Sequence, residues 1–145
     1  MNLNKAAKRY AKALLTFAVE RDELETVHAD VVAMQGAITG SKELAIMMNS
    51  AVIQEVKKVA IYKTIFGGKI SATTLNFMIL LAKNSRSSII PHILNAFISQ
   101  YKEYNKIVTV RITTASKMDE ELKTDLVAFL KQDYPESSID VNEVV

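Results

Sequence analysis

The chain has 145 residues, 49% hydrophobic and 23% charged, and its 18 basic and 16 acidic side chains leave a net charge of +2. That composition excludes a disordered tail, and the charge is too mild to imply a nucleic-acid partner. The absence of cysteine excludes a disulfide scaffold, a thiol nucleophile and a thiolate metal site, while four glycines and two prolines favour helices over a turn-rich β fold.

The first hundred residues read as successive helices. The first spans Asn4 to Glu20, with Asn4 as N-cap. Asp22 is a candidate cap for a second helix, Glu23 to Thr39, which Gly40 stops. Ser41 caps a short helix reaching Met48, and a fourth runs from Ile53 to Phe66, closed by Gly67-Gly68. Ser71 opens a fifth helix to Lys83. After Asn84-Ser85-Arg86-Ser87, Ser88 caps a sixth to Asn105, with Pro91 in the first turn where a missing N–H costs nothing.

The pattern then changes. Ile107 to Thr114 is rich in β-branched residues and alternates with period two, placing Val108, Val110 and Ile112 on one face of a strand. Asp119 caps a helix to Gln132 with Leu122, Leu126, Phe129 and Leu130 along one side, and Ser138 to Val145 supplies a second strand. The expected fold is mainly α: a six-helix bundle over residues 1–105, then a small β-α-β piece over 106–145 that reads as an incomplete α/β domain.

Chemistry-bearing motifs are scarce. His28 and His92 fall on different helices with no carboxylate cluster around them, so no metal or catalytic role is assigned. Gly67-Gly68-Lys69 lacks the strand and the Ser/Thr of a phosphate loop and reads as a helix C-cap. Asp119-Glu120-Glu121 offsets a helix macrodipole, and Ser87-Ser88 is a cap. No nucleophile, base and orienting group assemble, so no catalytic residue is expected, and no metal or cofactor either. The longest apolar run, Phe77 to Ala82, is too short to span a bilayer, so no direct membrane insertion is expected. Lys5, Lys8, Arg9 and Lys12 interrupt any signal-peptide core at the N-terminus.

Two helices carry more apolar surface than one buried stripe needs. The first presents Tyr10, Leu14 and Phe17 at i, i+4, i+7, flanked by Ala6, Ala7, Ala11, Ala13, Leu15 and Ala18. The fifth is apolar almost all round: Leu75, Phe77, Met78, Ile79, Leu80, Leu81 and Ala82. One reading makes it the central helix of the bundle. The other makes the two helices the walls of a groove for an amphipathic partner helix, with Ala13 and Ala82 allowing close approach and Met78 adapting to the occupant.

Lys8-Arg9-Tyr10-Ala11-Lys12-Ala13-Leu14-Leu15-Thr16-Phe17-Ala18 resembles the R-Y-A-K-A-L-F-x-x-A opening of the delta subunit of bacterial ATP synthase and its mitochondrial relative, the oligomycin-sensitivity-conferring protein. Asn76-Phe77-Met78-Ile79-Leu80-Leu81-Ala82-Lys83-Asn84-Ser85-Arg86, followed by Ile89-Ile90-Pro91, resembles the family's N-F-L-x-L-L-x-x-N-G-R-L-x-x-L-P segment. Ile107 to Ala115 resembles its V-x-A-x-V-x-x-A segment, and Ile65-Phe66-Gly67-Gly68-Lys69 a frequent turn. The three segments fall in register along essentially the whole chain. Ser85 replaces the family's usual glycine, so Asn84 or Ser85 must close the fifth helix, and Asn is the better suited of the two to the left-handed region. The family's Gly-Gly hairpin and D-x-S segment have no counterpart before Val145.

The resemblance implies a non-catalytic stator subunit of the F-type ATP synthase. Its partners would be the N-terminal helix of an alpha subunit, held between helices one and five, and the b subunits of the peripheral stalk. Its place would be peripheral, on the cytoplasmic side of the bacterial inner membrane, in support of proton-driven ATP synthesis. The residues carried over as partner-binding are Tyr10, Ala13, Leu14 and Phe17 from the first motif and Leu75, Met78, Ile79 and Ala82 from the second. The alternatives are a basic helical nucleic-acid-binding domain, weakened by the lack of aromatics interleaved with the lysines, and a peptide-binding adaptor with a different ligand.

Overall fold

The computed structural model describes residues 3–113, 119–133 and 138–144. They form α1 (Leu3–Glu20), α2 (Leu24–Gly40), α3 (Lys42–Asn49), α4 (Glu55–Phe66), α5 (Ala72–Lys83), a 3-10 turn (Ser87–Ile89), α6 (Ile90–Tyr104), β1 (Ile107–Thr113), α7 (Glu120–Asp133) and β2 (Ser138–Val144). The mainly α expectation holds, with helices dominating and a β-α-β piece at the end. Thr114, Ala115 and Val145, where the expected strands end, lie outside the described residues. The chain divides into two compact units, Met1–Gln100 and Tyr101–Val145.

The core of the helical unit is built from the inner faces of all its helices. Tyr62, Phe97, Met34, Met48, Met78, Leu81, Ile90 and Ile93 are its largest fully buried side chains. α1 contributes mostly methyl groups there (Ala6, Ala7, Ala11 and Ala18, with Leu14), so its backbone lies close to its neighbours. Burying such faces is what drives this assembly, since helices this short are marginal alone.

Helix ends follow local chemistry, though not always as expected. Ser41 Oγ accepts from Leu44 N at 3.2 Å, Ser71 Oγ from Thr74 N at 3.3 Å, and Asp119 Oδ1 from Leu122 N at 2.8 Å, three of the expected caps. Asn4 is not a cap, because the helix already includes Leu3. Asp22 does not open α2; it closes α1. It adopts φ 56, and the amides of Asp22 and Glu23 reach back to Val19 O and Ala18 O at 3.1 and 2.8 Å. This is a Schellman closure, which places a left-handed residue just past the helix. α5 ends the same way, with Ser85 at φ 57 and Arg86 N bonded to Leu81 O at 2.7 Å, so Ser85 rather than Asn84 takes the strained role. Ser88 lies inside the 3-10 turn rather than capping α6. Gly67-Gly68 closes α4 as expected. Gly68 has φ 77, and a Cβ on Gly67 would stand 2.3 Å from Lys63 O.

Two buried charges fasten these helices. Lys58 of α4 donates to Ser50 O at 2.7 Å and Met48 O at 3.4 Å, satisfying carbonyls at the end of α3. Asp30 of α2 accepts through Oδ2 from Ser71 N at 3.0 Å, Ser71 Oγ at 2.6 Å and Thr74 Oγ1 at 2.7 Å. Its negative charge therefore sits at the positive end of α5, a cap supplied from another helix.

In the second unit β1 and β2 are parallel, in a register running from Ile107 opposite Ser138 to Thr113 opposite Val144. α7 makes the crossover that parallel strands need. It buries no residue fully and leaves Leu122 and Phe129 exposed.

Candidate partner-binding groove

α1 and α5 are joined at one end by a short polar chain. Thr73 Oγ1 at the start of α5 donates to Glu23 Oε2 at 2.5 Å, and Glu23 Oε1 lies 3.6 Å from Arg21 Nε, just past α1. The Arg21 guanidinium in turn sits over the Phe17 ring, 5.2 Å from its centroid. From this end the two helices bound an apolar groove of about 570 Å³.

α1 supplies Tyr10, Ala13, Leu14 and Phe17 to one wall, with Arg21 beyond its end; α5 supplies Ala72, Thr73, Asn76, Phe77 and Leu80 to the other. Leu14 is nearly closed off and forms floor, whereas Phe17 and Leu80 remain 46% and 54% exposed. Large apolar side chains that face one another across a groove and stay half exposed make a contiguous apolar surface, which makes this groove the candidate site.

The four residues expected from α1 all line this groove. The four expected from α5 do not. Met78 and Ala82 are fully buried in the core, and Leu75 and Ile79 are half-buried outside the groove. The wall is formed instead by Thr73, Asn76, Phe77 and Leu80, the same i, i+3, i+4, i+7 pattern displaced by two positions, which is about 200° around the helix. α5 thus serves both roles considered for it, core on one face and groove wall on another. Asn76, exposed in an otherwise apolar stretch, was the available signal, since neighbouring Thr74 is polar yet fully buried against Asp30.

A cavity of about 630 Å³ between α2 and α6 is slightly larger, but its lining is broken by Gly36 and Gly40, and Gln35 Nε2 already donates to Asn95 Oδ1 at 2.6 Å. A third, of about 250 Å³, surrounds Lys58 and Ser87 and is mainly polar. His28 lies on α2, and His92 is exposed at the start of α6.

Residues 6–145 match the family described as ATP synthase delta (OSCP) subunit. The chain belongs to this family. It is similar to the ATP synthase subunit delta of Chlorobaculum parvum, 34% identical over 122 residues, which cover 84% of this chain and 67% of that one. It is 31% identical over 130 residues to the subunit delta of Cytophaga hutchinsonii, covering 90% and 71%. The fold resembles a chain in the cryo-EM structure of the Toxoplasma gondii mitochondrial ATP synthase hexamer, with TM-score 0.77 at 20% identity, over 96% of this chain and 78% of that one. Delta (OSCP) subunits are structural components of the ATP synthase stator, so the chain is a non-catalytic part of an enzyme complex.

Proposed function

We propose that this chain is the stator link between the catalytic head and the peripheral stalk of an F-type ATP synthase, and that the α1–α5 groove holds the N-terminal helix of an alpha subunit. The observation that carries the reading is the uncovered apolar strip formed by Phe17 on one wall and Phe77 and Leu80 on the other, in a chain of the delta family. A groove of this length suits about two turns of an amphipathic helix bearing apolar residues at i, i+3, i+4 and i+7. A stator must resist rotor torque, which requires slow dissociation, and burial of aromatic and aliphatic anchors supplies it.

The second unit is the part assigned to the b subunits of the stalk. Among the described residues no helix is long and apolar enough to cross a membrane. On this reading the chain is attached to the membrane complex through these partners, on the cytoplasmic side, and its role in proton-driven ATP synthesis is mechanical.

The test is an NMR titration of the chain with a synthetic peptide covering the N-terminal helix of the alpha subunit from the same organism. Saturable shifts concentrated on Tyr10–Arg21 and Ala72–Leu80 support the assignment. A folded sample whose spectrum ignores the peptide refutes it.

A further inference from the structure

The proposed groove occupant has so far been defined only by its apolar stripe, but the charge around the groove constrains it further. α1 and α5 together carry Lys5, Lys8, Arg9, Lys12 and Lys83 against one acid, Glu20, a balance of +4 within a chain whose total is +2. Of these, Lys5, Lys8 and Lys12 lie on the polar side of α1 away from the groove lining, whereas Lys83 continues the Thr73–Leu80 face of α5.

Within the lining itself there is one ionised side chain, Arg21. Its side chain is 56% exposed, held over the Phe17 ring and steadied by Glu23, which Thr73 fixes in turn. A guanidinium carries five N–H donors, and the Glu23 contact engages Nε. At the opposite end Lys83 is exposed, one turn beyond Leu80.

Resting on the groove reading above, we infer that the occupant is an acidic amphipathic helix, with carboxylates flanking its apolar stripe and one of them paired with Arg21. Arg21 at one end and Lys83 at the other repel a basic helix and give a neutral one no charged partner, so both are discriminated against at equal apolar stripe. The Arg21 pair is partly solvated while the groove is empty and loses water when a helix covers it, which strengthens the attraction.

The experiment compares two forms of the alpha-subunit N-terminal peptide by calorimetric titration of the full chain, one native and one with every Asp and Glu replaced by Asn and Gln. Each is measured against the parent and Arg21→Gln, at low and moderate salt. The parent is expected to bind the native peptide three- to tenfold more tightly than the amide form, with the gap closing at moderate salt. In Arg21→Gln the gap should shrink, while thermal stability stays at the parent value because the side chain is exposed. Equal affinities of the two peptides for the parent, or an undiminished gap in Arg21→Gln, overturn the inference and leave the groove assignment intact. Absence of binding by both peptides to folded parent protein removes the groove assignment and the inference with it.

Discussion

Leu80 and Met78 stand two positions apart on α5 and should respond to truncation in opposite ways. Leu80 is 54% exposed in the groove and Met78 is 1% exposed in the core. Complete burial of a leucine side chain stabilises by about 1.5–3 kcal/mol, so covering the exposed half of Leu80 with a partner helix contributes roughly 1–1.5 kcal/mol. Leu80→Ala should therefore weaken peptide binding by about five- to tenfold and cost the fold only about 1 kcal/mol. Met78→Ala opens a cavity in the core of the helical unit and should cost about 2–5 kcal/mol of stability. Its effect on affinity should be small once the sample is kept folded. Urea unfolding and calorimetric titration of both variants separate the two quantities. A Leu80→Ala protein that loses several kcal/mol of stability and binds normally would refute the placement of the groove on the Thr73–Phe77–Leu80 face.

Three further outcomes follow from the fastening of the helices. Asp30→Ala leaves Ser71 and Thr74 donors without their carboxylate and should lower stability by about 2–4 kcal/mol in urea unfolding, with Asp30→Asn recovering part of the loss. Asp22→Gly removes a side chain from a left-handed position and should raise stability by about 0.5–1 kcal/mol, visible as a higher Tm. Burial pushes the Tyr62 phenol above its ordinary value near 10.0. The folded state then holds this proton more firmly than the unfolded chain. Its contribution is whole below about pH 10 and is lost as pH rises through the folded-state value. Stability measured from pH 9 to 11 should fall more steeply in the parent than in Tyr62→Phe.

Most of the helical architecture could be read locally. Ser41, Ser71 and Asp119 cap as their positions suggested, and Gly67-Gly68 ends α4 because one glycine must be left-handed and the other leaves no room for a Cβ. Asp22 misled because aspartate suits both an N-cap and a left-handed position, and only the backbone bonds to Ala18 and Val19 separate the two. The groove was legible on α1, where the lysines leave a clear polar side and fix the rotation of the helix. α5 is apolar nearly all round, so periodicity could not say which face was core, and the wall lies about 200° from the one expected. Asp30 was out of reach for a different reason: its partners stand 41 and 44 residues away along the chain. Arg21 and Thr73 were likewise brought together only by the packing of α5 against the end of α1.

The fastening of α5 at both termini has a consequence for dynamics. A helix ordinarily frays from its ends, where amides and carbonyls lack intrahelical partners. In α5 the first turn is held by Asp30, and the last is locked by the Ser85 closure, whose hydroxyl also donates to Glu55 Oε1 at 2.6 Å. The wall that carries Phe77 and Leu80 is therefore preorganised before any ligand arrives, and association does not have to freeze it. The entropy of docking is then drawn mainly from the incoming segment, so the helicity of that segment before it binds decides how much affinity is lost to ordering.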